Sequence, residues 1–266
     1  MKKNIDATSI KWLKYVPNSL TLCNSLCGFA SIIIALSYNN EQVFPELKPE
    51  GIFVLCSWFI LGAMIFDCLD GFAARMLKAT SMHGLQMDSL ADMVTFGVAP
   101  ATLLTAMTYS LKTLDWRHAV LVWILAAFYL GGAALRLATY NVHAMLEKKS
   151  DDKFYGLPSP GAAAAICTTI LFYKELGISH TDYWWILPIY GAILGLLMVS
   201  PVRYLHIGKW LVSAVKSKRK IAIVLMFLIL AVIFPAYTGF IFINTYILIG
   251  LLISFWNVLT GKHKEA

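Results

Sequence analysis

Charge is scarce in this chain. Only 14% of its 266 residues are Asp, Glu, Lys or Arg, where an average soluble domain carries about 25%. With 59% hydrophobic residues and a mean hydropathy of +0.68, a soluble globule is excluded. Cysteine is sparse and odd in number. Cys23, Cys27, Cys56, Cys68 and Cys167 all sit in apolar stretches without histidine partners or zinc-ligand spacing, so they read as small buried hydrophobes. Period-two alternation is missing from the apolar runs, which argues against a β-barrel. No domain-sized polar insertion, repeat or low-complexity tract interrupts them. The basic opening "MKKNIDATSIKWLKYVP" leads into a span-length run without a small-residue cleavage site, and is expected to precede a retained first helix.

What is present in quantity is apolar sequence in runs near the roughly 20 residues that cross a bilayer. Candidate spans are 19–38, 52–74, 86–109, 118–142, 160–173, 183–202, 219–234 and 237–256. The expected fold is therefore all-α, a polytopic membrane helix bundle of about eight spans. Pro235 divides the last two runs, and a re-entrant hairpin stays open there. One set of helix ends carries only Lys48, Lys112, Arg117 and Lys174, while the other carries every remaining Lys and Arg except Arg136. By the positive-inside rule both termini are expected in the cytoplasm, and the protein in the cytoplasmic (inner) membrane. The net charge of +7 is then a topology signal and a favourable surface for anionic membrane lipids. Nucleic acid is not an expected partner, because the basic residues are dispersed over several loops. "IKWLKYVP" and "YLHIGKWLVSAVKSKRK" (204–220) mix apolar, aromatic and basic residues as interfacial helices do. Whether they only anchor the chain or also gate substrate is open.

The stretch "FDCLDGFAARMLKATSMHGLQMDSLADMVTFG" (66–97) breaks the apolar pattern. Asp67 and Asp70 are three apart and share a helix face near the end of the second span, with Gly71 and Ala74 leaving room beside them. Arg75 returns towards that face. Asp88 and Asp92 are four apart at the start of the third span, and Gly84 extends their small-residue surface. An aspartate in the centre of a membrane costs about 2.5–3.5 kcal/mol on insertion scales. Arg75 and Lys78 together cannot neutralise four carboxylates. Oxygen-only ligands suit hard divalent ions such as Mg2+, Mn2+ or Ca2+, and paired ions of this kind serve phosphoryl chemistry. A divalent-cation transporter is the rival reading, although transporters usually place their acids near the midplane.

These residues carry a resemblance. Asp67-x2-Asp70-Gly71-x2-Ala74-Arg75-x8-Gly84-x3-Asp88-x3-Asp92 is similar, at every fixed position, to the motif of the CDP-alcohol phosphotransferases. The resemblance implies a six-helix membrane core with a cytoplasm-facing site that transfers a phosphatidyl-type group from a CDP-linked donor to an alcohol. It implies two divalent ions, Mg2+ or Mn2+, held by Asp67, Asp70, Asp88 and Asp92. Nucleotide contacts would come from Asp67, Asp70, Gly71, Ala74, Arg75 and Gly84, and Asp92 would be the general base. It implies a homodimer by analogy. The expected layout is an interfacial helix at 1–15, the core at 16–203, an amphipathic segment at 204–218, a two-helix C-terminal hairpin at 219–258 and a tail at 259–266.

Five further stretches resemble the phosphatidylserine-forming members of that family: "VPNSLTLCNSLCGF" (16–29), "DSLADMVTFGVAPA" (88–101), "ALRLATYN" (134–141), "GLPSPGAAA" (156–164) and "LMVSPVRY" (197–204). They imply CDP-diacylglycerol as donor and L-serine as acceptor. Arg136, an expensive residue inside a span, either meets the acceptor carboxylate or pairs with an aspartate or backbone carbonyls. Asn141 and Arg203 are candidates for the same pocket or for headgroup contact. Asn18 and Thr21 either touch the nucleotide or cap the first helix. Glycerol phosphate and inositol phosphate remain alternative acceptors.

Overall fold

The computed structural model describes residues 15–40, 42–77, 81–111, 115–146, 156–183, 185–202, 204 and 218–260. Residues 1–14, Arg203 and most of the 204–218 segment, all singled out above, lie outside that set. The described residues form helices and no strand: α1 (Tyr15–Leu36), α2 (Pro49–Met76), α3 (Met82–Asp92), a π-helical turn (Met93–Val98), α4 (Ala99–Tyr109), α5 (Trp116–Leu146), α6 (Ser159–Glu175), a single turn α7 (His180–Tyr183), α8 (Ile186–Val199), α9 (Lys218–Ile233) and α10 (Pro235–Leu259). Each of the eight apolar runs forms a helix. Five are long and apolar enough to cross a membrane: Tyr15–Leu36, Pro49–Met76, Met82–Tyr109, Trp116–Val142 and Pro235–Asn257. The other three are shorter; the 14 residues of α8 rise only about 21 Å at 1.5 Å per residue, less than a hydrocarbon core of about 30 Å.

α1 packs by an inverted rule. The buried stripe of α1 is Pro17, Thr21, Asn24, Gly28, Ser31 and Ala35, small or polar throughout. Its outward face carries Leu22, Leu26, Phe29 and Ile33. Lipid is as apolar as leucine, so the large side chains of α1 lose little by facing it, and its small ones let helices approach closely. Ser31 donates from Oγ to the Cys56 carbonyl at 3.1 Å, and Cys56 Sγ reaches the Ser31 carbonyl at 3.4 Å, tying α1 to α2. At the α5–α8 crossing, a Cβ on Gly132 would lie 2.7 Å from Gly195 Cα, so only bare backbone fits.

The helix from Met82 to Tyr109 is the most enclosed of the five spans, and it is not uniform. Pro100 has no N–H to offer the carbonyl four residues back, and its ring crowds that carbonyl. The ladder widens before it: Ala99 N–H reaches Val94 O, five residues earlier. The carbonyl in question, Phe96 O, accepts a 2.7 Å hydrogen bond from the Tyr129 hydroxyl, and both residues are fully buried. Tyr129→Phe deletes that donor within the bundle's interior. It is expected to destabilise the protein by about 1–3 kcal/mol, read as a lowered Tm of the detergent-solubilised protein. An unchanged Tm would mean that the carbonyl is satisfied some other way.

The C-terminal hairpin docks through α10. Pro235 opens that helix directly after α9 ends. Phe240 stacks on Phe172 of α6 with centroids 4.2 Å apart, and Tyr190 of α8 donates to Asn244 Oδ1 at 2.7 Å.

Candidate active site

Ser81 caps α3, its hydroxyl accepting the Gly84 N–H at 3.0 Å. Asp67 and Asp70, in the last three turns of α2, meet Asp88, in the second half of α3. Ligand oxygens of Asp67, Asp70 and Asp88 then lie within 4.8 Å of one another. Asp70 is buried and Asp67 and Asp88 half-buried. Asp92, also buried, lies just outside this trio, within hydrogen-bonding reach of Asp67. The four predicted carboxylates therefore converge, in a three-plus-one arrangement that spacing alone does not show.

α1 supplies the back wall. Thr21 Oγ1 donates to Asp70 Oδ2 at 2.7 Å, or alternatively to its own helix at Pro17 O. Asn24 Nδ2 donates to Asp92 Oδ1 at 3.1 Å, and Thr95 Oγ1 donates to the Asn24 carbonyl at 3.0 Å. Gly28 makes this possible, since a Cβ there would sit 2.7 Å from Thr95 Cα. The widened turn after Asp92 is thus seated directly against α1. Asn18 is half-buried beside Gly84, its Oδ1 3.8 Å from where a Cβ on that glycine would lie.

Gly71 faces open space, with nothing within 4 Å of where its Cβ would be. Its bareness serves no packing contact and leaves room next to the acids, alongside half-buried Ala74. Arg75 is exposed and folds back to donate from Nε to the Gly71 carbonyl at 3.0 Å. Among the described residues the aspartates form no ion pair with it. Asn141 Oδ1 accepts from Ser89 Oγ at 2.7 Å, joining the end of α5 to α3 next to Asp88. Arg136, one turn earlier, lies beside Gly156 and in electrostatic contact with Tyr140, Tyr204 and Tyr246.

Sequence reasoning missed Asn24, Ser89, Thr95 and Tyr140. Asn24 carried a usable signal: a polar residue inside a span, three after Thr21 and four before Gly28, and so on the same helix stripe. The others have partners far away in the chain: Ser89 with Asn141, Thr95 with Asn24, and Tyr140 with Asp88 and Asp92.

The donor set fits a hard divalent ion. It is oxygen throughout, and two acceptors are buried without any hydrogen-bond donor, Asp88 Oδ1 and Asn24 Oδ1. Buried acceptors left unpaired are costly unless something fills them. A cation held by carboxylates does so.

Fold and site together define a membrane-embedded helix bundle with an acidic, metal-competent cluster between the last turns of α2 and the second half of α3. The family model for CDP-alcohol phosphatidyltransferase matches residues 14–197, and the chain belongs to that family. It is 30% identical to the CDP-diacylglycerol–serine O-phosphatidyltransferase of Helicobacter pylori over 255 residues, 94% of this chain and 96% of the relative. It is 33% identical to the Bacillus subtilis protein so named over 208 residues, 78% of this chain and 99% of that one. To the Saccharomyces cerevisiae protein of that name it is 38% identical over 157 residues, covering 57% and 52%.

Proposed function

We propose that this protein moves the phosphatidyl group of CDP-diacylglycerol onto the hydroxyl of L-serine, forming phosphatidylserine and CMP. The observation that carries the reading is the Asp67–Asp70–Asp88 trio with Asp92 beside it, in a chain of this family whose relatives bear that activity in their names. Asp67, Asp70 and Asp88, with Asp92 at their edge, would hold two divalent ions, Mg2+ or Mn2+, whose charge offsets that of the donor diphosphate. Asn18, Thr21, Gly71, Ala74, Arg75 and Gly84 line the nucleotide side. Gly71 leaves the space, and Arg75, exposed and free of any aspartate ion pair, can turn towards phosphate.

The serine hydroxyl oxygen bonds to the lipid-linked phosphorus while the bond from that phosphorus to the CMP oxygen breaks. Asp92 accepts the hydroxyl proton. Its burial keeps water from competing, and Asn24 orients it. Arg136, Asn141 and Arg203 belong to the acceptor side. In this reading the site and both termini face the cytoplasm of an inner membrane, as the lysine and arginine distribution implies. The working unit is a homodimer by the same family analogy.

The test is acceptor choice. Proteoliposomes holding the purified protein, CDP-diacylglycerol and Mn2+ or Mg2+ should release CMP on addition of L-serine. They should not do so with glycerol 3-phosphate or inositol phosphate. Release with a phosphorylated acceptor alone would replace serine in this reading. Divalent-metal flux without CMP would point to a cation carrier.

A further inference from the structure

Beyond the acid cluster lies a second polar group that the mechanism above does not use. Tyr140, four residues after Arg136 on α5, is in electrostatic reach of Asp88 and Asp92 on one side and of Arg136 on the other. Arg136 in turn lies with Tyr204 and Tyr246. Gly156, at φ 80°, makes the space: a Cβ there would press to 3.1 Å from the Arg136 Nη1 atom. Gly156 N–H donates to Val202 O at 2.8 Å and Leu157 N–H to Leu197 O at 3.0 Å. The loop before α6 is thereby stitched to the strand of chain that leads from α8 to Tyr204.

Tyr204 is the unusual member. It is only 9% exposed, and its hydroxyl has no hydrogen-bond partner among the described residues. Tyr204 belongs to none of the long apolar helices, and burial, with Tyr246 beside it, pushes its pKa up to about 12. The group is therefore an O–H donor at neutral pH. Its ring is held by the C-terminal hairpin. A Cβ on Gly250 would fall 2.5 Å from Tyr204 Cδ1, so the ring lies flat on bare backbone. The Tyr246 ring packs 5.4 Å away, centroid to centroid. A buried donor without an acceptor costs stability, and this one is in electrostatic reach of the Arg136 guanidinium, which is donor-only as well. Two donors and a positive charge select an anion with more than one oxygen, and a carboxylate fits.

We propose that Tyr204 is a specificity-determining residue of the acceptor pocket, donating its hydroxyl beside Arg136 to the carboxylate of the amino-acid acceptor. The C-terminal hairpin, through Gly250 and Tyr246, is the element that holds it there. This rests on the serine-accepting reading above. It gives a purpose to a hairpin that lies beyond the segment matched by the family model.

The experiment compares L-serine with ethanolamine, which keeps the hydroxyl and amine and lacks the carboxylate. In Tyr204→Phe the KM for serine should rise roughly tenfold, the size of one charge-assisted hydrogen bond. The ratio of kcat/KM for serine to that for ethanolamine should fall by a similar factor, with the CDP-diacylglycerol KM unmoved. Gly250→Leu, which displaces the ring while keeping the hydroxyl, should produce the same loss of discrimination. A serine KM within twofold of the parent's in Tyr204→Phe would overturn the proposal. So would a parallel rise in both substrates' KM values, because that marks a general structural effect. A parent protein that releases no CMP with serine would sink the serine reading itself, and this inference with it.

Discussion

Asp92→Asn lowers serine-dependent CMP release at least a hundredfold, while the KM for CDP-diacylglycerol stays within a few fold of the parent's. General-base contributions run at about 10²–10⁴ in rate, and this variant removes the base together with one charge at the edge of the metal site. The asparagine amide keeps an oxygen where Asp92 Oδ1 now accepts from Asn24 Nδ2 at 3.1 Å, so the wall formed by α1 is preserved. What it loses is the ability to take a proton and one negative charge at the edge of the acid trio. Because Asp92 is buried and seated against Asn24 and the Thr95 turn, bulk water has poor access to stand in for it. Full activity in the variant would remove Asp92 from the base role and direct attention to another acid of the cluster.

Removing divalent metal has an effect of at least the same size. Treatment with EDTA should abolish CMP release, and Mg2+ or Mn2+ should restore it. The reason is electrostatic crowding. With ligand oxygens of Asp67, Asp70 and Asp88 within 4.8 Å of each other, each charged pair repels by about 3 kcal/mol at an effective dielectric constant near 20. Adding a donor diphosphate to such a pocket without counter-charge would be prohibitive. Asp88→Asn, which neutralises the residue whose Oδ1 is buried and unpaired, should raise the Mn2+ concentration for half-maximal activity by at least tenfold. Titrating Mn2+ by electron paramagnetic resonance, without substrates, should show the same weakening. Full activity after exhaustive chelation would contradict the metal assignment, and unchanged Mn2+ binding in Asp88→Asn would remove that residue from the ligand set.

Much of this is legible in the sequence itself. Apolar runs of span length made the helices visible, because in lipid every backbone polar group must be satisfied within its own segment. The acid cluster was visible because aspartate is so costly there that its presence needs a reason. Its two pairs, three and four residues apart, could be assigned to helix faces by the helical period alone. Other features were hidden. Asn24 and Asp92 are 68 residues apart, and nothing periodic links them. The Tyr129–Phe96 bond follows from Pro100, yet which side chain answers the proline is a matter of packing. Exposure also ran against habit: leucines and a phenylalanine of α1 face outward and its small residues inward, a choice that composition does not reveal.

The hairpin shows the division most clearly. Its two helices were evident from hydropathy and Pro235, but their purpose was not. The packing of Tyr204 on Gly250 and Tyr246, with both tyrosines in electrostatic reach of Arg136, relates it to the residues around Arg136.

The order of residues alone settles that this chain is a membrane helix bundle with a fourfold acid motif, because local periodicity and desolvation cost act over a few residues at a time. The convergence of three of those acids, the separate seat of Asp92, and the burial of Tyr204 beside an arginine were decided by tertiary structure. Each depends on close helix approach at a glycine or on a bond between distant segments, and such contacts exist only once the whole bundle has packed.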